Sequence, residues 1–142
     1  MALFVRCGSL GLALNLVGWI HTCRADEFDV LREKWAEMLT GGSHLDVTDP
    51  AVASSISSLS SLADSYWSTM DKSPTRAFLW SDLASATDTG HITESYGRLK
   101  TMALAYATQG SSLKGNAALE ADIVRGLDWV YANRYNEKTP MH

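Results

Sequence analysis

Apolar residues recur at steps of three and four along most of the chain. In residues 27–40, EFDVLREKWAEMLT, Phe28, Leu31, Trp35, Met38 and Leu39 fall on one helical face. The spacing predicts a helix that buries this face, with Asp26 as its cap and Gly41 and Gly42 as its end. Arg32, Glu33, Lys34 and Glu37 take the solvent side.

Asp49-Pro50 opens a second helix, because the Asp side chain accepts an amide hydrogen bond and Pro tolerates the first helical position. Val52, Ile56, Leu59, Ala63, Tyr66 and Met70 form its stripe, widened by Leu62 and Trp67. Six serines between positions 54 and 61 are mediocre helix formers, but burial of the stripe outweighs them. Ser73-Pro74 is its expected stop. Residues 76–86 read as a short helix or helical turn anchored by Phe78, Leu79, Trp80 and Leu83, and residues 87–90 as a loop. Thr93, with Ile92 before it, is the expected cap of a helix carrying Tyr96, Leu99, Met102, Ala103 and Tyr106, ended by Gly110. Asn116 caps a last helix bearing Leu119, Ile123, Leu127, Val130 and Tyr131, with Trp129 off the stripe.

No segment alternates over six residues as a sheet strand would. The reading is an all-α chain of four substantial helices and one short one, packed as antiparallel hairpins.

Residues 1–25 stand apart. An apolar run from Leu10 to Ile20 lies between Arg6 and Arg24, and Cys23-Arg24-Ala25 places small residues at the −3 and −1 positions of a cut before Asp26. This is the pattern of a secretory signal peptide, so the mature chain is expected to be secreted and extracellular. A membrane anchor fits less well, because the run is short and Asn15 interrupts it. Stable membrane insertion after cleavage is not expected. The cut removes Cys7 and Cys23, the two cysteines, and leaves ten basic against sixteen acidic residues, a net of −6. Without disulfides the fold must rest on its own core, and nucleic acid is an unsuitable partner for so acidic a chain.

Candidate chemistry is sparse. The sequence holds no HExxH, CxxC, phosphate-binding glycine loop or GxSxG. His44, His91 and His142 are isolated, in loops or at the terminus. His44 with Asp46 and Asp49 imitates a metal cluster, but Asp49 already serves as a cap, so neither metal nor cofactor is expected. Glu33 with Glu37, and Glu120 with Asp122, read as solvated helix faces. The aromatic residues are mostly core, Trp35, Tyr66, Tyr96 and Tyr106 among them. Arg134 and Tyr135, beyond the last buried turn, are the candidate substrate-binding residues, since an Arg fork pairs a carboxylate bidentately.

Four ordered blocks add a resemblance. DEFDVLREKWAEMLTGG at 26–42, SYWSTMDKSPTRAFLWSDL at 65–83, YGRLKTMALAYATQGSSLKGN at 96–116 and GLDWVYANRYN at 126–136 resemble the start of the family-8 polysaccharide lyases. The resemblance spans residues 26–136. It implies that residues 26–142 are the N-terminal portion of an α/α toroid, an incomplete ring of helical hairpins followed by β-sandwich domains. Such lyases are secreted bacterial enzymes that cleave hyaluronan, chondroitin or xanthan by β-elimination. A base takes the C5 proton of a uronic acid, the C4 glycosidic oxygen leaves, and an unsaturated uronyl product forms. The family's catalytic Asn, His, Tyr and Arg, and its paired-Trp patch, lie in later segments. No catalytic residue therefore carries over onto this chain. The expectation is a part of a lyase, inactive alone, that meets acidic polysaccharide in the company of the downstream toroid and β-sandwich domains. The competing reading is a non-catalytic helical module that binds acidic polysaccharide or a protein. The net acidity opposes polyanion binding unless Arg98, Lys100, Lys114, Arg125 or Arg134 cluster in space.

Overall fold

The computed structural model describes residues 27–135. The leader, both cysteines, Asp26 and His142 lie outside the described residues. Among the described residues there are four α-helices: α1 (Glu27–Thr40), α2 (Pro50–Thr69), α3 (Thr89–Ala107) and α4 (Ala117–Asn133). Short 3-10 turns at Gly42–His44 and Ser81–Leu83 punctuate the connections.

Local chemistry sets several boundaries where the sequence places them. Gly41 and Gly42 end α1 with φ of 76° and 56°, the left-handed region that L side chains rarely enter. Asp49 caps α2 by accepting from the Ala51 and Val52 amides, with Pro50 at the first helical position. Asn116 does the same for α4 through the amides of Ala118 and Leu119.

Packing makes α3 the central helix, with α2 on one side and α4 on the other. Both pairs run antiparallel. The beginning of α2 meets the end of α3, where Ile56 and Val47 approach Gly110. The Tyr106 hydroxyl near the end of α3 donates to Glu120 at the start of α4, at 2.9 Å. The core joins Ala63 and Met70 of α2, Leu99, Met102 and Ala105 of α3, and Leu119, Ile123 and Val130 of α4. Leu79, Trp80 and Leu83 fill it from the connection between α2 and α3.

The structure corrects the sequence reading at four places. The α1 stripe is not buried: Phe28, Leu31, Trp35, Met38 and Leu39 are 49–74% exposed. Amphipathic spacing states that a face is apolar, not that a partner lies within reach; a cavity lined by Ala36 and Thr40 of α1 and Ala107 of α3 lies between the two helices. Next, α2 stops at Thr69, short of Ser73-Pro74. Met70 turns extended, and the Asp71 amide pairs with the Leu79 carbonyl at 2.8 Å. Of the two readings of residues 76–86, a short helix or a helical turn, the structure shows the turn. Trp80 is extended, with φ −134° and ψ 137°, and only Ser81–Leu83 coil. In this conformation the consecutive residues Leu79 and Trp80 are both 1% exposed.

The third correction concerns the start of α3. Its cap is Asp88, which accepts from the Gly90 amide at 2.7 Å, so Ile92 and Thr93 lie inside the helix. The fourth concerns α4. Leu127 and Tyr131 face outward, and the inner face is Leu119, Asp122, Ile123, Gly126 and Val130. The absence of a side chain at Gly126 explains the rotation. A Cβ there would lie 2.7 Å from Leu99 Cδ2, so the glycine marks the line of closest approach between α3 and α4.

Candidate functional site

The C-terminal ends of α2 and α4, the N-terminal part of α3 and the connection between α2 and α3 converge at one end of the helical array. Most of the described cations and aromatic rings with mutual contacts gather there. Three side-chain groups organise it.

The first centres on Arg98. Its Nη1 and Nη2 donate to the two oxygens of Asp82 at 3.1 and 2.5 Å, and its Nε to Glu94 at 3.4 Å. The guanidinium lies 5.0 Å from the Tyr66 ring centroid and 5.3 Å from that of Trp80. The Trp80 indole N–H donates to the Tyr66 carbonyl at 2.9 Å. The hydrogen bonds from Arg98 hold the Asp82 carboxyl below its ordinary range, and Asp82 in turn raises the Arg98 guanidinium. The Asp82 and ring contacts of Arg98 thus fix the connection against α2 and α3.

The second centres on Asp122, which the sequence reading placed on a solvated face. The residue is 9% exposed. It accepts from the Trp67 indole N–H at 2.8 Å and from Arg125 at 3.1 Å, and Lys72 Nζ lies 3.8 Å away. Lys72 also sits 4.9 Å from the Trp67 ring centroid. A buried carboxylate requires such partners. Trp67 and Asp122 are 55 residues apart, so no local pattern announces the pairing.

The third holds the two candidate binding residues. Arg134 caps α4, stands 4.6 Å from the Trp129 ring centroid and donates to the Ala77 carbonyl at 2.7 Å. A second bond runs to the Asn133 carbonyl at 3.1 Å. These use two of its five N–H donors. Tyr135 is half exposed and lines a groove with Thr89, Ile92, Thr93 and Tyr96 of α3. The structure therefore brings Arg134 and Tyr135 to the same end of the molecule as the other two groups.

The remaining titratable candidates serve local structure. His91 lies in α3 rather than in a loop, and its Nδ1 accepts from the Ser85 amide at 3.1 Å. An accepting Nδ1 keeps the imidazole proton on Nε2, which faces Asp88 at 3.8 Å. Asp46 accepts from the Thr48 hydroxyl at 2.6 Å, and this bond lowers its pKa. The hydrogen bond to Glu120 holds the Tyr106 proton and raises its pKa. Among the described residues no group of three His, Cys, Asp or Glu side chains is arranged to hold a metal. No described helix is long and apolar enough to cross a membrane.

Stacked antiparallel helical hairpins of this form define the α/α-toroid type of N-terminal domain found in polysaccharide lyases. Residues 35–142 match the polysaccharide lyase family 8 N-terminal alpha-helical domain, and the chain belongs to that family. It is 47% identical over 112 residues to a xanthan lyase of Bacillus sp. (strain GL1), covering 79% of this chain and 12% of the relative. It is 38% identical over 111 residues to a hyaluronate lyase of Thermasporomyces composti, covering 78% of this chain and 14% of the relative. The solved structure of a Paenibacillus xanthan lyase superposes with a TM-score of 0.78 at 47% identity, over 84% of this chain and 11% of that one. The chain thus spans about one-eighth of the length of the relatives it matches.

Proposed function

We propose that this chain is the N-terminal toroid portion of a secreted lyase that cleaves uronic-acid-containing polysaccharide, of the hyaluronan, chondroitin or xanthan type, by β-elimination. The observation that carries the reading is the 47% identity to a xanthan lyase across 112 residues, beside a family match over residues 35–142 that includes all three packed helices. Residues 1–25 serve as the export signal, and the mature protein begins at or near Asp26. Arg134 and Tyr135 contribute to the surface that meets the polymer. The downstream toroid and β-sandwich segments supply the remaining parts.

Residues 26–142 by themselves are inactive in this reading. β-Elimination requires a base, an acid and a group that neutralises the uronate around one sugar, and their contributions multiply in rate. The described candidates are spoken for: His91 accepts from the Ser85 amide, Tyr106 donates to Glu120, and Arg98 grips Asp82.

The test is a chimera in which residues 26–142 replace the matching segment of the Bacillus xanthan lyase. The expected result is ultraviolet-absorbing unsaturated uronyl product from the chimera and none from residues 26–142 alone. Product from the isolated segment would overturn the inactive reading. A folded but silent chimera would overturn the assignment to the toroid of a working lyase.

A further inference from the structure

The chain carries a net charge of −4, yet four of its twelve basic residues meet on one surface. Lys72 and Arg125 flank Asp122 at 3.8 and 3.1 Å. Arg76 reaches the Arg125 carbonyl at 3.3 Å, and Arg134 reaches the Ala77 carbonyl at 2.7 Å. These contacts run continuously along the connection after α2 and one face of α4. The acidic residues within the network are Asp122 and Asp71. Asp122 is held by Trp67, Arg125 and Lys72, and Asp71 accepts from the Ser73 amide at 2.8 Å. Among the residues these contacts join, four cations stand against two engaged carboxylates.

Two features suit this surface to a charged sugar. The cations alternate with indoles: Lys72 stacks on Trp67 at 4.9 Å and Arg134 on Trp129 at 4.6 Å. A Trp edge offers apolar area to a sugar ring while a neighbouring guanidinium meets its carboxylate. The guanidinium of Arg76 is also poorly satisfied. The bonds from its terminal nitrogens to the Ser73 and Arg125 carbonyls are long, 3.4 and 3.3 Å, while its Nε is sealed inside without an acceptor among the described residues. Poorly bonded donors in a partly buried cation favour an anionic partner. Two of the other basic residues weighed in the sequence do not join: Arg98 is held by Asp82 and Glu94, and Lys114 donates to the Ala107 carbonyl.

We propose that Lys72, Arg76, Arg125 and Arg134, with Trp67 and Trp129 between them, form a subsite for a carboxylate-bearing oligosaccharide. The ligand class rests on the lyase reading; the cationic surface does not. The site binds a polymer segment rather than performing chemistry on it.

The test titrates the full chain with a hyaluronan hexasaccharide and with neutral cellohexaose, followed by calorimetry and Trp fluorescence at low salt. The hexasaccharide should bind, cellohexaose should not, and rising salt should weaken the complex. Lys72→Gln combined with Arg125→Gln should weaken it at least about tenfold, a 1.4 kcal/mol difference. Arg125→Lys, which keeps the charge, should weaken it less. Lys72→Gln alone serves if the double variant unfolds, because Lys72 is 43% exposed and its contact to Asp122 is long. No binding by the folded chain, equal binding of the neutral sugar, or unchanged affinity in the folded variants would overturn the proposal. An active chimera combined with charge-independent binding would refute the subsite and leave the lyase reading standing. A silent chimera combined with charge-dependent binding would do the reverse.

Discussion

Arg98 holds Asp82 with both terminal nitrogens while its guanidinium lies beside the rings of Tyr66 and Trp80. This one side chain fixes the connection between α2 and α3 to the helices on either side. The hydrogen bonds push the Asp82 carboxyl below its ordinary 3.8, so the folded state favours the ionised form. A carboxyl lowered by folding stabilises above its unfolded pKa and loses that contribution as pH falls through the folded value. Stability should therefore drop below about pH 4. Asp82→Asn should flatten this part of the profile in urea unfolding followed across acid pH. Because Asp82 is well exposed, the effect should shrink in high salt.

Asp122 is the acceptor for the Trp67 indole and the counter-charge for Arg125 and Lys72. Asp122→Ala strands a partly buried N–H and two cations. The expected loss is about 1–3 kcal/mol in denaturant unfolding. Asp122→Asn retains an acceptor for Trp67 and should recover part of it.

Two glycines in helices should behave in opposite ways. At Gly126 a Cβ would approach Leu99 Cδ2 at 2.7 Å and Met70 Cε at 2.9 Å. Gly126→Ala should cost about 1–3 kcal/mol, toward the lower end because both atoms end flexible side chains. At Gly97 the nearest contact would be Glu94 Oε2 at 3.8 Å, ordinary packing distance. Gly97→Ala should stabilise by about 0.5–1 kcal/mol through helix propensity. Thermal unfolding of the two variants in parallel checks both.

The tryptophans also divide. Trp80 is 1% exposed and donates to the Tyr66 carbonyl, so Trp80→Ala should cost about 3–5 kcal/mol. Trp35 is 54% exposed on α1, so Trp35→Ala should cost less than about 1 kcal/mol in the same chain. Guanidinium unfolding separates the two outcomes.

Chain-local chemistry determined much of this protein. The apolar periodicity of residues 50–70, 96–106 and 116–131 set three of the packed helices, because a stripe at steps of three and four can bury only as a helix. Asp49-Pro50, Asn116 and Gly41-Gly42 marked ends through backbone groups a few residues away, which any local window contains. The ordered blocks also carried the family. Arg134 and Tyr135 could be named as candidates because they follow the last buried turn.

Tertiary structure decided the rest. Whether an apolar face is covered depends on a partner elsewhere, which is why α1 reads like α2 in sequence yet stays exposed. The rotation of α4 follows from the missing side chain at Gly126 against Leu99, a contact between helices. The extended course of Leu79 and Trp80 follows from the Asp71–Leu79 pairing that draws both side chains inward. Lys72 and Arg76 carried no signal of their own. They join Arg125 and Arg134 only when the connection folds back across α4, some fifty residues away, because charges far apart in sequence cluster only where the backbone brings them together.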